Sequence, residues 1–147
     1  MDLLEELRIG AEPDEVYDLF SDLTNYPDWL GLVVRVDAED PPERDPRGSW
    51  IVELQGRVGP FARSKRLRMV RSAAERPRLV RYERHEVDGR DHAPWRLEAH
   101  IAPADTGALL TMDLHYGGTR FAPVLAPILR EEIRKGRRLL LERYPPT

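Results

Sequence analysis

A chain of 147 residues suits one domain with a single substantial core. Charged residues make up 33% of it, above the usual globular share, yet a net charge of -3 predicts no polyanionic partner. The absence of cysteine excludes disulfide scaffolds, thiol nucleophiles and thiolate metal sites, and is compatible with a reducing cytoplasm.

Residues 1–8 are acidic and too short in apolar length for a signal peptide or a membrane span, so a soluble cytoplasmic protein is expected. Leu3, Glu5, Leu7 and Ile9 alternate with Leu4, Glu6 and Arg8, which predicts a first strand ending at Gly10. Pro13 suits the first turn of a helix, and Asp14 and Glu15 are well placed near its positive end. Val16, Tyr17, Leu19, Phe20 and Leu23 give that helix an apolar side, with a stop expected at 22–24. Residues 25–30 predict a second short helix, with Pro27 in its first position and Tyr26 and Trp29 as anchors. A second strand is expected over 33–38, then an exposed proline-rich loop over 39–48.

Antiparallel strands follow from Trp50 to Tyr116. A turn at 56–60 sets Leu54 against Lys65, Val52 against Leu67 and Trp50 against Met69. A turn at 72–77 sets Met69 against Val80, Leu67 against Tyr82, Lys65 against Arg84 and Arg63 against Glu86. A turn at 88–91 sets Val80 against Ala99, Tyr82 against Leu97 and Arg84 against Trp95. A turn at 103–107 sets Ile101 against Leu110, Ala99 against Met112, Leu97 against Leu114 and Trp95 against Tyr116. All these side chains share one pleat, apolar around Met69, Val80, Ala99 and Met112 and polar around Lys65, Arg84 and Glu86. A cup with a greasy floor and a charged rim is implied. Arg66, Arg68, Arg81, Glu83, His85, Arg96, Glu98, His100, Asp113 and His115 alternate onto the opposite pleat, predicted to be a solvated face of cross-strand charge pairs.

A long helix is expected over 121–143, burying Leu125, Leu129, Ile133, Gly136 and Leu140. Pro127 predicts a kink or a delayed start. Gly136 reads either as room for a ligand or as close packing against the sheet. The element order β-α-α-β-β-β-β-β-β-α indicates an α+β fold.

This order, with Ala-Glu-Pro-Asp-Glu-Val-Tyr-Asp-Leu-Phe at 11–20, Asn-Tyr-Pro-Asp-Trp at 25–29, Val-Gly-Pro-Phe at 58–61 and the terminal helix, resembles the START-like polyketide cyclase/dehydrase and lipid-transport superfamily. The resemblance implies a helix-grip fold spanning 1–147: a curved seven-stranded antiparallel sheet around the C-terminal helix, with two short helices between strands 1 and 2. It also implies a cavity whose mouth lies near the start of the last helix, among the loops at 56–61, 87–92 and 117–121.

A cup of this kind points to binding, sequestration or transport of a small hydrophobic ligand, such as a lipid, an isoprenoid quinone or a polyketide-like molecule. Lys65 and Arg84 are placed to attract an acidic or carbonyl oxygen, with Arg63 assisting under restraint from Glu86, or else to reach water at the rim. Trp95 and Tyr116 are placed to clamp a flat ligand or simply to pack. Leu67, Met69, Tyr82, Leu97, Leu110, Met112 and Leu114 are expected to form the deeper wall, faced by Leu125 and Leu129 of the last helix.

No cofactor, metal or catalytic residue is expected. His100 and His115 lack metal-ligand spacing, and Ser21, Ser49, Ser64 and Ser72 lack a nucleophile elbow. The arginine-rich run at 63–71 divides between two faces, which argues against nucleic acid, and residues 58–61 cannot cradle phosphate. One alternative is an aromatase/cyclase-type enzyme in which Arg84, Tyr82 or Tyr116 polarises a carbonyl or moves a proton. Another is suggested by similarity to coenzyme-Q-binding and ribosome-associated toxin relatives. In it the sheet, or Arg130, Arg134, Lys135, Arg137 and Arg138, would meet a protein partner or a second copy of the chain.

Overall fold

The computed structural model describes residues 1–41, 43–58, 61–119 and 122–146, the side chains of 57, 58, 61–63 and 122 excepted. Seven strands form one antiparallel sheet: β1 (Asp2–Ile9), β2 (Val33–Ala38), β3 (Ser49–Val58), β4 (Phe61–Glu75), β5 (Leu79–Arg84), β6 (Trp95–Ala104) and β7 (Gly107–Tyr116). Their spatial order is β1-β7-β6-β5-β4-β3-β2. Helix α1 (Pro13–Phe20) and a 3-10 helix (Leu23–Asp28) connect β1 to β2, and helix α2 (Ala122–Arg143) follows β7. The expected α+β helix-grip architecture is the one observed.

Geometry explains why this sheet is curved. Six gaps of about 4.8 Å would make a flat sheet about 29 Å wide, whereas a helix with its side chains is only about 10–12 Å across. A single helix covers the apolar pleat only if the sheet curls around it. The backbone of α2 comes nearest to β1 and β3, bridging the opening rather than lying along the central strands. Among the described residues no helix is long and apolar enough to cross a membrane.

The registers of β3 with β4 and of β6 with β7 are those read from the alternation, including Trp50 opposite Met69 and Trp95 opposite Tyr116. Between β5 and β6 the register is also the expected one, with Val80 facing Ala99 and Tyr82 facing Leu97, and paired residues run from Leu79 with His100 to Glu83 with Arg96. Between β4 and β5 the expected pairs are corrected: Met69 faces Arg84, and Arg71 faces Tyr82. A bulge between Arg71 and Ala73 and a turn nearer Pro77 account for the shift. An even-numbered slide leaves each side chain on its face, so the apolar pattern does not detect it.

The connecting helices also differ from expectation. Helix α1 ends at Phe20 because Asp22 starts the next element, its carboxylate accepting the Thr24 N–H at 2.9 Å and the Thr24 hydroxyl at 2.7 Å. Pro27 consequently lies inside the 3-10 helix, not at its start. Helix α2 begins at Ala122 and runs through Pro127, so its start is not delayed.

The outer pleat is not uniformly solvated. Arg68 is only 6% exposed, with its Nε donating to Glu39 at 2.7 Å and its terminal nitrogens donating to the carbonyls of His85 and Glu43. The loop after β2 thus folds back over this face. At the other end, the Gly10 N–H donates to the Tyr144 carbonyl at 2.9 Å, tying the C-terminus of α2 to β1.

Gly107 has φ +125, and a Cβ there would stand 2.3 Å from the Ile9 carbonyl oxygen, whereas Gly89 has φ +74 with nothing within 4 Å. Gly89→Ala should cost about 1–2 kcal/mol from backbone strain alone. Gly107→Ala should cost at least about 1 kcal/mol more through overpacking. Chemical denaturation measures both; equal losses would contradict the close approach of β7 to β1.

Candidate functional site

A cavity of ≈ 110 Å³ lies between the concave pleat and α2. Its wall includes Leu67 and Met69 of β4, Tyr82 of β5, Trp95 and Leu97 of β6, Met112 and Leu114 of β7, and Leu129 of α2. These are residues that strand alternation and helical spacing place on the inner face. Tyr116 and Leu110 are buried but do not line the void: Tyr116 packs behind Trp95 at a ring distance of 4.7 Å. Leu125 also lies off the wall, on the first turns of α2.

The remaining wall was not legible as a site. Leu3, Glu5 and Leu7 come from β1, and Leu23, Tyr26 and Trp29 come from the segment after α1. Leu30, Leu32, Val33, Val52 and Leu54 close the β2 and β3 side, while Ile133, Arg137 and Leu140 extend the contribution of α2. The usable signal was present: Glu5 occupies the apolar phase of its strand, and Tyr26 and Trp29 are large rings on a six-residue helical turn and its exit. What sequence could not supply was their distance from the central strands.

An aromatic cluster fixes this side of the wall. Trp29 packs on Phe20 at 5.4 Å and on Tyr26 at 5.1 Å, and Tyr26 meets Tyr82 edge-on at 6.1 Å. Both tyrosine hydroxyls donate to the Phe20 carbonyl, Tyr82 at 2.6 Å and Tyr26 at 3.2 Å. They satisfy an acceptor at the end of α1 and are committed there. Gly136 is explained by the same cluster: a Cβ would stand 2.8 Å from the Trp29 carbonyl oxygen and 3.0 Å from its ring. The missing methyl lets α2 close on Trp29 rather than on the sheet.

At the polar rim Arg84 is held in a pair, while Lys65 is exposed. Arg84 has a side chain only 6% exposed; its Nε donates to Glu86 at 2.9 Å and a terminal nitrogen donates to the Ala93 carbonyl. The same Glu86 oxygen accepts the Arg68 backbone N–H at 2.9 Å, finishing the ladder where β5 stops. Lys65, opposite Leu54, is more exposed, and partial burial followed by the Arg84 charge holds its pKa below the ordinary lysine value. Neither Lys65 nor Arg84 lines the void. The Arg63 side chain and residues 59, 60, 120 and 121 of the expected mouth lie outside the described residues.

On the opposite wall Arg137 donates to Glu5 at 3.3 Å and to the Glu6 carbonyl at 2.7 Å, so these two charged residues of the lining form a pair joining α2 to β1. On the outer pleat His100 bonds Glu98 at 2.8 Å, and His115 bonds Asp2 at 2.7 Å.

The family model for polyketide cyclase/dehydrase and lipid transport matches residues 4–143. No curated protein matches the chain in sequence. Among solved structures, a START superfamily protein from Mycobacterium smegmatis superposes with TM-score 0.72 at 14% identity, covering 97% of this chain and 96% of that one. Ginseng major latex-like protein 151 from Panax ginseng gives TM-score 0.67 at 11% identity, covering 99% and 98%. The Zhui aromatase/cyclase from a Streptomyces species gives 0.63 at 14% identity, covering 97% and 92%. At these identities the likeness is one of fold.

Burial raises the pKa of Tyr26 and Tyr82 well beyond the ordinary phenol value. A folded-state pKa above the unfolded one stabilises the fold below about pH 10, and that stabilisation is lost as pH rises past it. In an alkaline absorbance titration, these two of the five tyrosines should ionise only as the protein unfolds. Five phenolates appearing near pH 10 with the fold intact would contradict this packing.

Proposed function

The chain belongs to the polyketide cyclase/dehydrase and lipid transport family, and we propose that it binds a small hydrophobic ligand inside the cavity, sequestering or carrying it rather than transforming it. The observation that carries this reading is the apolar void itself, walled by β-sheet leucines and methionines and roofed by Leu129, Ile133 and Leu140. Unfilled apolar space forfeits packing contacts, so a fold that retains it gains stability when an apolar guest enters.

Size narrows the ligand. Pockets for drug-sized molecules span about 300–1,000 Å³, against the ≈ 110 Å³ here. A guest no larger than about a single ring, or a short chain, suits the space as it stands. A long lipid or isoprenoid tail requires α2 or the wall side chains to move outward.

The aromatase/cyclase neighbours supply a second reading, in which the cavity folds a poly-β-keto chain. The groups named for such chemistry are otherwise engaged: Tyr82 on the Phe20 carbonyl, Arg84 on Glu86, and Tyr116 behind the Trp95 ring. The protein-interaction reading gains little from the basic stripe of α2. Arg134 pairs with Glu131, Lys135 lies near Glu132, and Arg137 is held by Glu5.

Native mass spectrometry of the protein from its own host should show a retained small molecule released on unfolding. Leu97→Trp, which fills the void, should abolish retention while costing about 1–3 kcal/mol of stability through overpacking. Retention unchanged in a folded Leu97→Trp protein would place the ligand elsewhere. An empty wild-type protein that takes up no apolar probe would remove the binding reading.

A further inference from the structure

Some residues of the wall carry a side-chain nitrogen or oxygen: Glu5, Tyr26, Trp29, Tyr82, Trp95 and Arg137. None of those atoms faces the void, whose accessible lining is wholly apolar. The Tyr26 and Tyr82 hydroxyls donate to the Phe20 carbonyl, and the two indole nitrogens are fully buried and present no surface to the space. Glu5 and Arg137 pair with each other, and each side chain is 42% exposed. Their stems therefore line the void while their charged ends reach the water outside. The wall's backbone is spent as well, because β4, β5, β6 and β7 each have a paired strand on either side.

A buried water needs two to four polar partners, so this lining has nothing with which to hold one, and a guest enters a dry space. A hydroxyl, carbonyl, ether or ring-nitrogen acceptor placed there gives up its hydrogen bonds to water and receives none in return. A C–H surface of the same shape gives up no such bonds and supplies the contacts that the unfilled wall lacks. Volume sets the second limit, since ≈ 110 Å³ admits no more than about a single ring as the walls stand.

We infer that the void is a hydrocarbon site, which takes a single ring or short chain and rejects the oxygen- or nitrogen-bearing molecule of the same shape. This rests on the binding reading above and names its ligand class. A quinone or polyketide-like molecule places only a hydrocarbon end in this space, with its carbonyl groups left outside the wall.

The test uses the full chain with 13C-methyl methionine and two matched pairs of probes: benzene with pyridine, at a pH where pyridine is uncharged, and cyclopentane with tetrahydrofuran. Of the three methionine signals, both hydrocarbons should shift those of Met69 and Met112 and leave that of Met1, which does not line the void. Each hydrocarbon should bind at least about tenfold more tightly than its partner, the effect of stranding one acceptor without a donor. Met112→Gln sets an amide on the wall and should lower each ratio by about threefold or more. An unchanged ratio in a folded Met112→Gln protein would contradict contact between guest and wall. If that variant fails to fold, the wild-type ratios and methionine shifts decide alone. Equal binding within each pair, with Met69 and Met112 shifted, would overturn hydrocarbon selection and leave cavity binding standing. No binding of any probe up to its solubility, or binding that leaves both methionine signals unmoved, would remove both.

Discussion

One helix has to cover a concave sheet built from seven strands, and the remaining features of this protein follow from how incompletely it does so. Strand alternation commits a broad apolar pleat to the inside, and α2 is too narrow to reach all of it. Curling brings the sheet margins to the helix, yet the central strands stay beyond the reach of most of its side chains. The helical segment after α1 fills part of the gap with Phe20, Tyr26 and Trp29. What remains is a void bounded by side chains whose lengths happen not to meet.

The same constraint orders the polar groups. Buried donors and acceptors at the seams between layers are satisfied locally: Tyr26 and Tyr82 close the end of α1, Arg137 ties α2 to β1, and Glu86 completes the ladder beyond β5. Each joins two elements that the sheet alone would not hold together.

Most of the fold was legible because its signals are local. Hairpins with short turns mirror their own alternation, so the β3–β4 and β6–β7 registers could be read residue by residue. The β4–β5 register could not, because the bulge at Ser72 and an even slide both conserve an apolar face. The central wall was legible for the same reason as the strands, through residues such as Leu67, Leu97 and Leu114. Trp29, Glu5 and Arg137 were visible as residues but not as a site. Their placement depends on how a 3-10 helix, an edge strand and a terminal helix dock across the sheet, which no short-range pattern encodes. The pairing of Arg84 was not legible because it arises where β5 ends, two residues before Glu86.

The claim on which all this turns is that apolar space persists inside the folded protein. An apolar cavity that stays dry admits xenon, so a crystal of the protein pressurised with xenon tests it directly. The account predicts a xenon atom in contact with Leu67, Leu97, Leu114 and Leu129. An interior in which those side chains close on one another and no xenon enters would contradict it.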